Sequence, residues 1–402
     1  MPLLPLGALI ITAALGRDQA GQPPSPSFTL QSALATAEEH NRTLVAARLG
    51  RAADLAGIDV AKERLNPEAS FEAGRDTPHE AFSVGVPLEF GGKRARRIDV
   101  ANATLARTTA DIAVQILDVR RAVRLAYFEL VAASTRLQVT TDLRGFAERT
   151  RDAARDRFQA GAAPRLEALQ SELALATVDN EQEAARGRLE AARVELNTLI
   201  GRAPDAPADP TDSFDVGTPP TDLAASIAAS PDIVAIDRQI DEAVAREQLA
   251  RAMRTPDSTV SGGVLFDSQP DFTYGWKAGL AITIPVFTRH DAGVRVETAR
   301  VVQLRAQREA RVTELTGQAT AAAARARAAR QRYLRYRDEI VPQLSTLESM
   351  AEDSYRSGQT GLAAFLQAMQ GAREVRLLAT DAGLEYQSAL ADLERALGGP
   401  IR

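Results

Sequence analysis

The chain has 402 residues with 48 basic and 53 acidic side chains, a formal net charge of -5 and no cysteine. That balance argues against a general nucleic-acid binder, which carries a basic excess, and the missing thiols exclude disulfide frameworks, thiolate metal sites and a cysteine nucleophile. The three histidines, His40, His79 and His290, are far apart in sequence, so a histidine-based zinc or catalytic site is not expected.

In chain order, the first element is an apolar run from Leu3 to Leu15. At roughly 13 residues it has the length of a secretory signal core and is too short to cross a bilayer as a helix, so residues 1–20 are read as a signal peptide. No Lys or Arg precedes the run, and no clean A-x-A cleavage site follows it. Nowhere else does an apolar stretch approach the ~20 residues of a transmembrane helix. Any membrane crossing must therefore use β-strands closed into a barrel.

The chain is duplicated. Asn41-Arg42-Thr43 aligns with Ser230-Pro231-Asp232, and Asn66-Pro67 with Thr255-Pro256 at the same offset. Further on, Arg157-Phe158-Gln159-Ala160-Gly161 aligns with Ser354-Tyr355-Arg356-Ser357-Gly358, and Leu199-Ile200-Gly201 with Ala396-Leu397-Gly398. The repeats cover 28–200 and 221–399, with a Pro/Asp/Gly-rich linker at 201–220.

Each repeat reads as helix, strand pair, long helix, glycine-marked break and helix. The first helix is expected from Leu30 to Leu65, stopped by Asn66-Pro67. Strands are expected within about 67–90, at Ala69-Phe71-Ala73 and at Phe82-Val84-Val86-Leu88. From Lys93 to Gln159 there is no proline, which predicts a helix ~100 Å long. Along it Ile98, Leu105, Ile112 and Val119 recur every seventh residue, as do Ile116, Val123, Leu130 and Leu137, a coiled-coil pattern. After Gly161 and Pro164 a further helix runs to Leu199.

The second repeat predicts helix Leu223 to Arg254, strands within about 256–287, a long helix Val294 to Tyr355 kinked by Pro342, and helix Leu362 to Leu397. Its strands are Val260-Gly262-Val264-Phe266 and a longer run in which Tyr274, Trp276, Ala278, Leu280, Ile282, Ile284 and Val286 alternate with small or polar residues. The shorter helices of each repeat sum to about the length of the long one, so they fit antiparallel beside it, stacked end to end. Strands that alternate in this way match the wall of a transmembrane barrel, with Tyr274 and Trp276 as the membrane girdle. Four strands enclose no channel, so copies must combine. The fold class is thus mainly α with a small β part.

Val86-Pro87-Leu88-Glu89-Phe90-Gly91-Gly92-Lys93-Arg94 resembles the strand-to-helix corner of the TolC-like outer membrane factors, in particular their heavy-metal-efflux, CzcC-like branch. Ile284-Pro285-Val286-Phe287 through Gly293 resembles the matching second corner, and Phe28-Thr29-Leu30 to Leu34 with Asn41 the first helix. The resemblance spans nearly the whole chain. It implies a homotrimer with a 12-stranded outer-membrane barrel in lipid and helices extending into the periplasm. It implies as partners a periplasmic adaptor (membrane fusion) protein and an inner-membrane pump of the RND type. By the same resemblance Phe158, Ala160, Gly161, Tyr355, Ser357 and Gly358 form adaptor-contact tips, Asp152 and Tyr355 close the tip, and Pro87, Gly91, Gly92 and Pro285 shape the corners. Ala364 and Gln367 stand where relatives often carry an acidic ring, with Glu167 a partial substitute in the first repeat.

Gly91-Gly92-Lys93-Arg94 lacks phosphate-loop spacing, and the acidic residues fall among arginines at helical i,i+4 spacing. No catalytic residue, metal site or cofactor is expected. The function expected is passive conduction in a tripartite efflux system, possible cargoes including heavy-metal cations. The alternatives are a drug-efflux or type I secretion duct and, in another class, a soluble coiled-coil scaffold.

Overall fold

A computed structural model describes residues 28–76, 78–215, 217–218, 224–267 and 273–401. The signal-peptide reading at 1–20 lies outside them. The chain runs α1 Leu30–His40, α2 Arg42–Lys62, β1 Glu68–Ala73, β2 Glu80–Leu88, α3 Lys93–Gln159 and α4 Arg165–Leu199. It continues with α5 Ala224–Ala228, α6 Pro231–Ala252, β3 Asp257–Asp267, β4 Thr273–Thr283, α7 Asp291–Arg335, a π-helical turn Tyr336–Ile340, α8 Val341–Arg356 and α9 Leu362–Leu397.

The long α3 and the returning helices α4 and α9 have the expected bounds. The first helix of each repeat is shorter than its pattern implied. The predicted Leu30–Leu65 helix breaks at Asn41, whose backbone leaves the helical region and whose Oδ1 accepts from the amides of Thr43 and Leu44. The same Asn41 donates from Nδ2 to the Leu199 carbonyl at 2.7 Å, so one side chain caps the start of α2 and the end of α4. The predicted Leu223–Arg254 helix likewise breaks, at Ser230, because Pro231 opens α6. There Gly398, which ends α9, presses on Ser230 and Pro231. The expected end-to-end stacking is present in both repeats, with α2 abutting α4 and α6 abutting α9.

β4 stops at Thr283 rather than continuing through Phe287. Pro285 has no amide to extend a ladder, and the chain turns instead into α7, which begins at Asp291. The expected kink at Pro342 takes the form of the π-helical turn before it, where the Val341 amide bonds the Tyr336 carbonyl five residues back.

Helix packing forms an open layer. α3 packs against α4 and α2 on one side and against α6 and α9 on the other, and α7 packs against α6 and α9. One free edge is thus α2 and α4, the other α7 and α8. At mid-height the layer thickens into a core in which Val123 to Ala133 of α3 meets α1, α4, α7 and α9. The described part of the linker, residues 201–215 and 217–218, joins this core. Asp212 accepts from the Leu30 amide at 2.6 Å, Phe214 lies against Gly383, and Tyr386 donates to the Gly217 carbonyl at 2.5 Å. Buried Arg124 bonds Glu394 and Gln387 of α9, its pKa lowered by burial against the raising effect of Glu394.

Candidate functional site

Chemistry-bearing features gather at the two ends of the helical layer. At one end the strands form a single antiparallel sheet in the order β1-β2-β3-β4, leaving β1 and β4 as open edges. The register places Phe71, Phe82, Val264 and Trp276 side by side in one row, with Phe266 opposite Tyr274 in the next. Val86, Val260 and Leu280 form a further row on the same face. Tyr274 and Trp276 are each 82% exposed, and the other large side chains of these rows are at least partly exposed. An exposed apolar face of this extent has no counterpart in a sheet laid on a water-soluble core. The aromatics cluster toward the hairpin ends of the strands.

The opposite face is small and polar: Ser70, Ser83, Gly263 and Lys277 share one row, and Glu68, Gly85, Ser261 and Gly279 another. Gly263 sits so close to the Phe82 carbonyl that any side chain would collide with it.

The predicted corners join sheet to helices. Gly91 and Gly92 both take positive φ, Gly92 as the N-cap of α3, and His290 holds the corresponding left-handed place before α7. Pro87 lies within β2 opposite Thr259, and Pro285 lies beyond the end of β4. Lys93, almost fully buried, pairs with Asp257 of β3 at 2.6 Å, tying the start of α3 to the sheet, and Arg254, in the turn between α6 and β3, pairs with Asp291 at the start of α7 at 2.8 Å. Sequence reasoning missed these two pairs. Their signal is isolated charges beside the strand segments, which resembles ordinary surface charge.

At the other end, the two glycine-marked turns have one geometry. Ala162 N–H bonds the Arg157 carbonyl and Gly161 N–H the Phe158 carbonyl; Gln359 N–H bonds the Ser354 carbonyl and Gly358 N–H that of Tyr355. This paired closure with φ +70 at Gly161 and +73 at Gly358 is the Schellman turn, which L-residues with side chains resist. Ala160 and Ser357 sit exposed within the two turns.

The equivalent aromatics before the glycines differ. Phe158 is 42% exposed, whereas Tyr355 is 2% exposed, stacked on Phe365 at 5.2 Å within a cluster that includes Leu362 and Met369. Tyr355 donates its hydroxyl to Glu167 Oε1 at 2.8 Å, and Arg157 reaches the same oxygen at 3.3 Å while lying over the Tyr355 ring. Burial, then Glu167, pushes the Tyr355 hydroxyl up to about 12. Asp152 is not brought to Tyr355 within the chain; it pairs with Arg151 at the surface. Ala364 and Gln367 are exposed and uncharged, and Glu167 is the acid committed at this turn.

Among the described residues no group of three or more His, Asp or Glu is placed to hold a metal ion, and no helix is long and apolar enough to cross a membrane.

Residues 33–202 and 223–399 match the family model described as outer membrane efflux protein. The chain is 28% identical over 273 residues to the cobalt-zinc-cadmium resistance protein CzcC of Cupriavidus metallidurans, covering 66% of this chain and 65%, just under two thirds, of that relative. It is 25% identical over 320 residues to the nickel-cobalt-cadmium resistance protein NccC of Alcaligenes xylosoxydans xylosoxydans, covering 75% of this chain and 70% of the relative. Among solved structures the fold matches the CmeC outer membrane channel of Campylobacter jejuni with a TM-score of 0.77 at 16% identity, over 93% of this chain and 86% of that one.

Proposed function

The chain belongs to the outer membrane efflux protein family, whose place is the bacterial outer membrane and whose work is transport rather than catalysis, and from that premise we propose that three copies assemble into one passive export duct. The sheet supplies a third of a 12-stranded barrel, its exposed apolar face meeting lipid and its small polar face lining the bore. The helical layer continues the path into the periplasm, each α2/α4 edge closing on the α7/α8 edge of the next copy.

Both helical edges carry exposed apolar side chains suited to that contact, among them Leu49, Val60 and Leu173 on one and Val296, Val302 and Met350 on the other. The observation that carries the reading is the pairing of two features at opposite ends of ~100 Å helices: an exposed apolar sheet with unpaired edges, and two matched Schellman turns.

The tips dock a periplasmic adaptor through Phe158, Ala160, Gly161, Ser357 and Gly358. An RND-type inner-membrane pump behind the adaptor supplies the energy. Tyr355 and Asp152 act in closure, Tyr355 within the chain and Asp152 toward a neighbouring copy. Divalent heavy-metal cations are the proposed cargo, supported by the relatives named for cobalt, zinc, cadmium and nickel resistance.

Gly358→Pro tests the tip. Proline cannot take the positive φ and removes the amide that bonds Tyr355. In cells dependent on this duct for cobalt or zinc tolerance, the variant should lose tolerance while its trimers remain in the outer membrane. Unchanged efflux would refute the tip assignment.

A further inference from the structure

The bore-facing side of the sheet carries almost no charge between its two edges. On β2, Ala81, Ser83, Gly85 and Pro87 occupy it. On β3 the only ionisable residues there are Asp257 and Asp267 at the strand ends, engaged by Lys93 and His79. The remaining charges of this face lie on the open edges and have opposite sign: Glu68 and Glu72 on β1, Lys277 on β4. Among the described residues none of these three has an ion-pair partner within the chain.

We propose that Lys277 of one copy pairs with Glu68 or Glu72 of the next, forming a charged seam that holds the joined barrel edges together. This rests on the trimeric barrel proposed above.

Side-chain parity decides which residues can meet across the seam. A residue on the bore face of β4 can oppose only a bore-face residue of β1, which means Glu68, Ser70 or Glu72. Opposite either glutamate, Lys277 has a direct partner. Opposite Ser70, both glutamates are diagonal neighbours at roughly 7–8 Å, within reach of a lysine. A slip of one residue would instead turn Lys277 toward lipid and the apolar rows toward water. The second copy is the occupant this edge fits because its complement stands on the opposite edge of the same sheet.

The test measures the temperature at which trimers extracted from outer membranes dissociate in SDS, for wild type, Lys277→Glu, Glu68→Lys/Glu72→Lys and the combined triple reversal. Each partial reversal places like charges across the seam and should shift dissociation down by several degrees. The combined variant should recover most of the shift, and the neutral Lys277→Gln should fall between wild type and Lys277→Glu. A combined variant no more stable than either partial reversal, with wild type trimeric, would overturn the seam alone. A wild-type chain that never forms trimers would overturn the barrel and the seam together.

Discussion

At the scale of single residues, the tip turns on one carboxylate. Glu167 accepts from Tyr355 and pairs with Arg157, joining the first repeat's turn to the buried aromatic of the second. The Tyr355 hydroxyl, pushed up to about 12, remains a donor across all physiological pH. Its folded pKa lies above the unfolded value near 10. The contribution is therefore intact below pH ~10 and lost as pH rises through the folded value. Tyr355→Phe should remove about 1–2 kcal/mol locally, since it leaves a charged acceptor without its hydroxyl. In planar bilayers that variant should show a larger resting conductance than wild type; equal conductance would detach this bond from closure. The sequence named Glu167 and Tyr355 but did not link them. Their separation of 188 residues is bridged only when the two turns fold side by side. That Phe158 faces water while its repeat counterpart is buried was also illegible, because duplication equates the positions and packing distinguishes them.

At the scale of elements, the decisive joints are the two places where short helices abut. Asn41→Ala would strip the cap of α2 and leave the Leu199 carbonyl unpaired, a loss of about 1–2 kcal/mol; thermal melting of the purified protein reads it. The corresponding joint in the second repeat is held by Asp232, which accepts from Arg311 at 2.6 Å and Arg395 at 2.5 Å and so pins α6, α7 and α9 together. Burial pushes this carboxyl up, but the bonds from Arg395 and Arg311 prevail and its pKa falls below the ordinary value. Its stabilisation is present above the unfolded carboxylate value near 3.9 and fades as pH drops through the folded one. Asp232→Asn should cost on the order of 3 kcal/mol at pH 7 and flatten stability loss below pH 4. A melting curve against pH identical to wild type would remove Asp232 from this role. The long α3 was legible because a seven-residue period and the absence of proline persist over many turns. The breaks at Asn41 and Ser230 were passed over, although an N-cap residue and an N1 proline stood there, because the flanking Ala- and Leu-rich segments carry helix propensity across them.

At the scale of the molecule, the sequence pattern revealed four alternating strands and their apolar face, since a period of two reports burial directly. It overran β4 into Ile284-Pro285-Val286-Phe287, where alternation continues but the ladder cannot. It also could not show that residues 201–215 pack into the mid-height core, because Phe214 and Asp212 find partners in distant helices. Every large-scale consequence, from the lipid-facing rows to the continuous periplasmic wall, depends on three sheets closing edge to edge. The most direct measurement is the mass and secondary structure of the particle extracted from outer membranes in mild detergent. Three chains per particle, with strand content that survives heating in SDS until the trimer dissociates, is the predicted result. A monodisperse single chain that stays soluble in detergent-free buffer would contradict it.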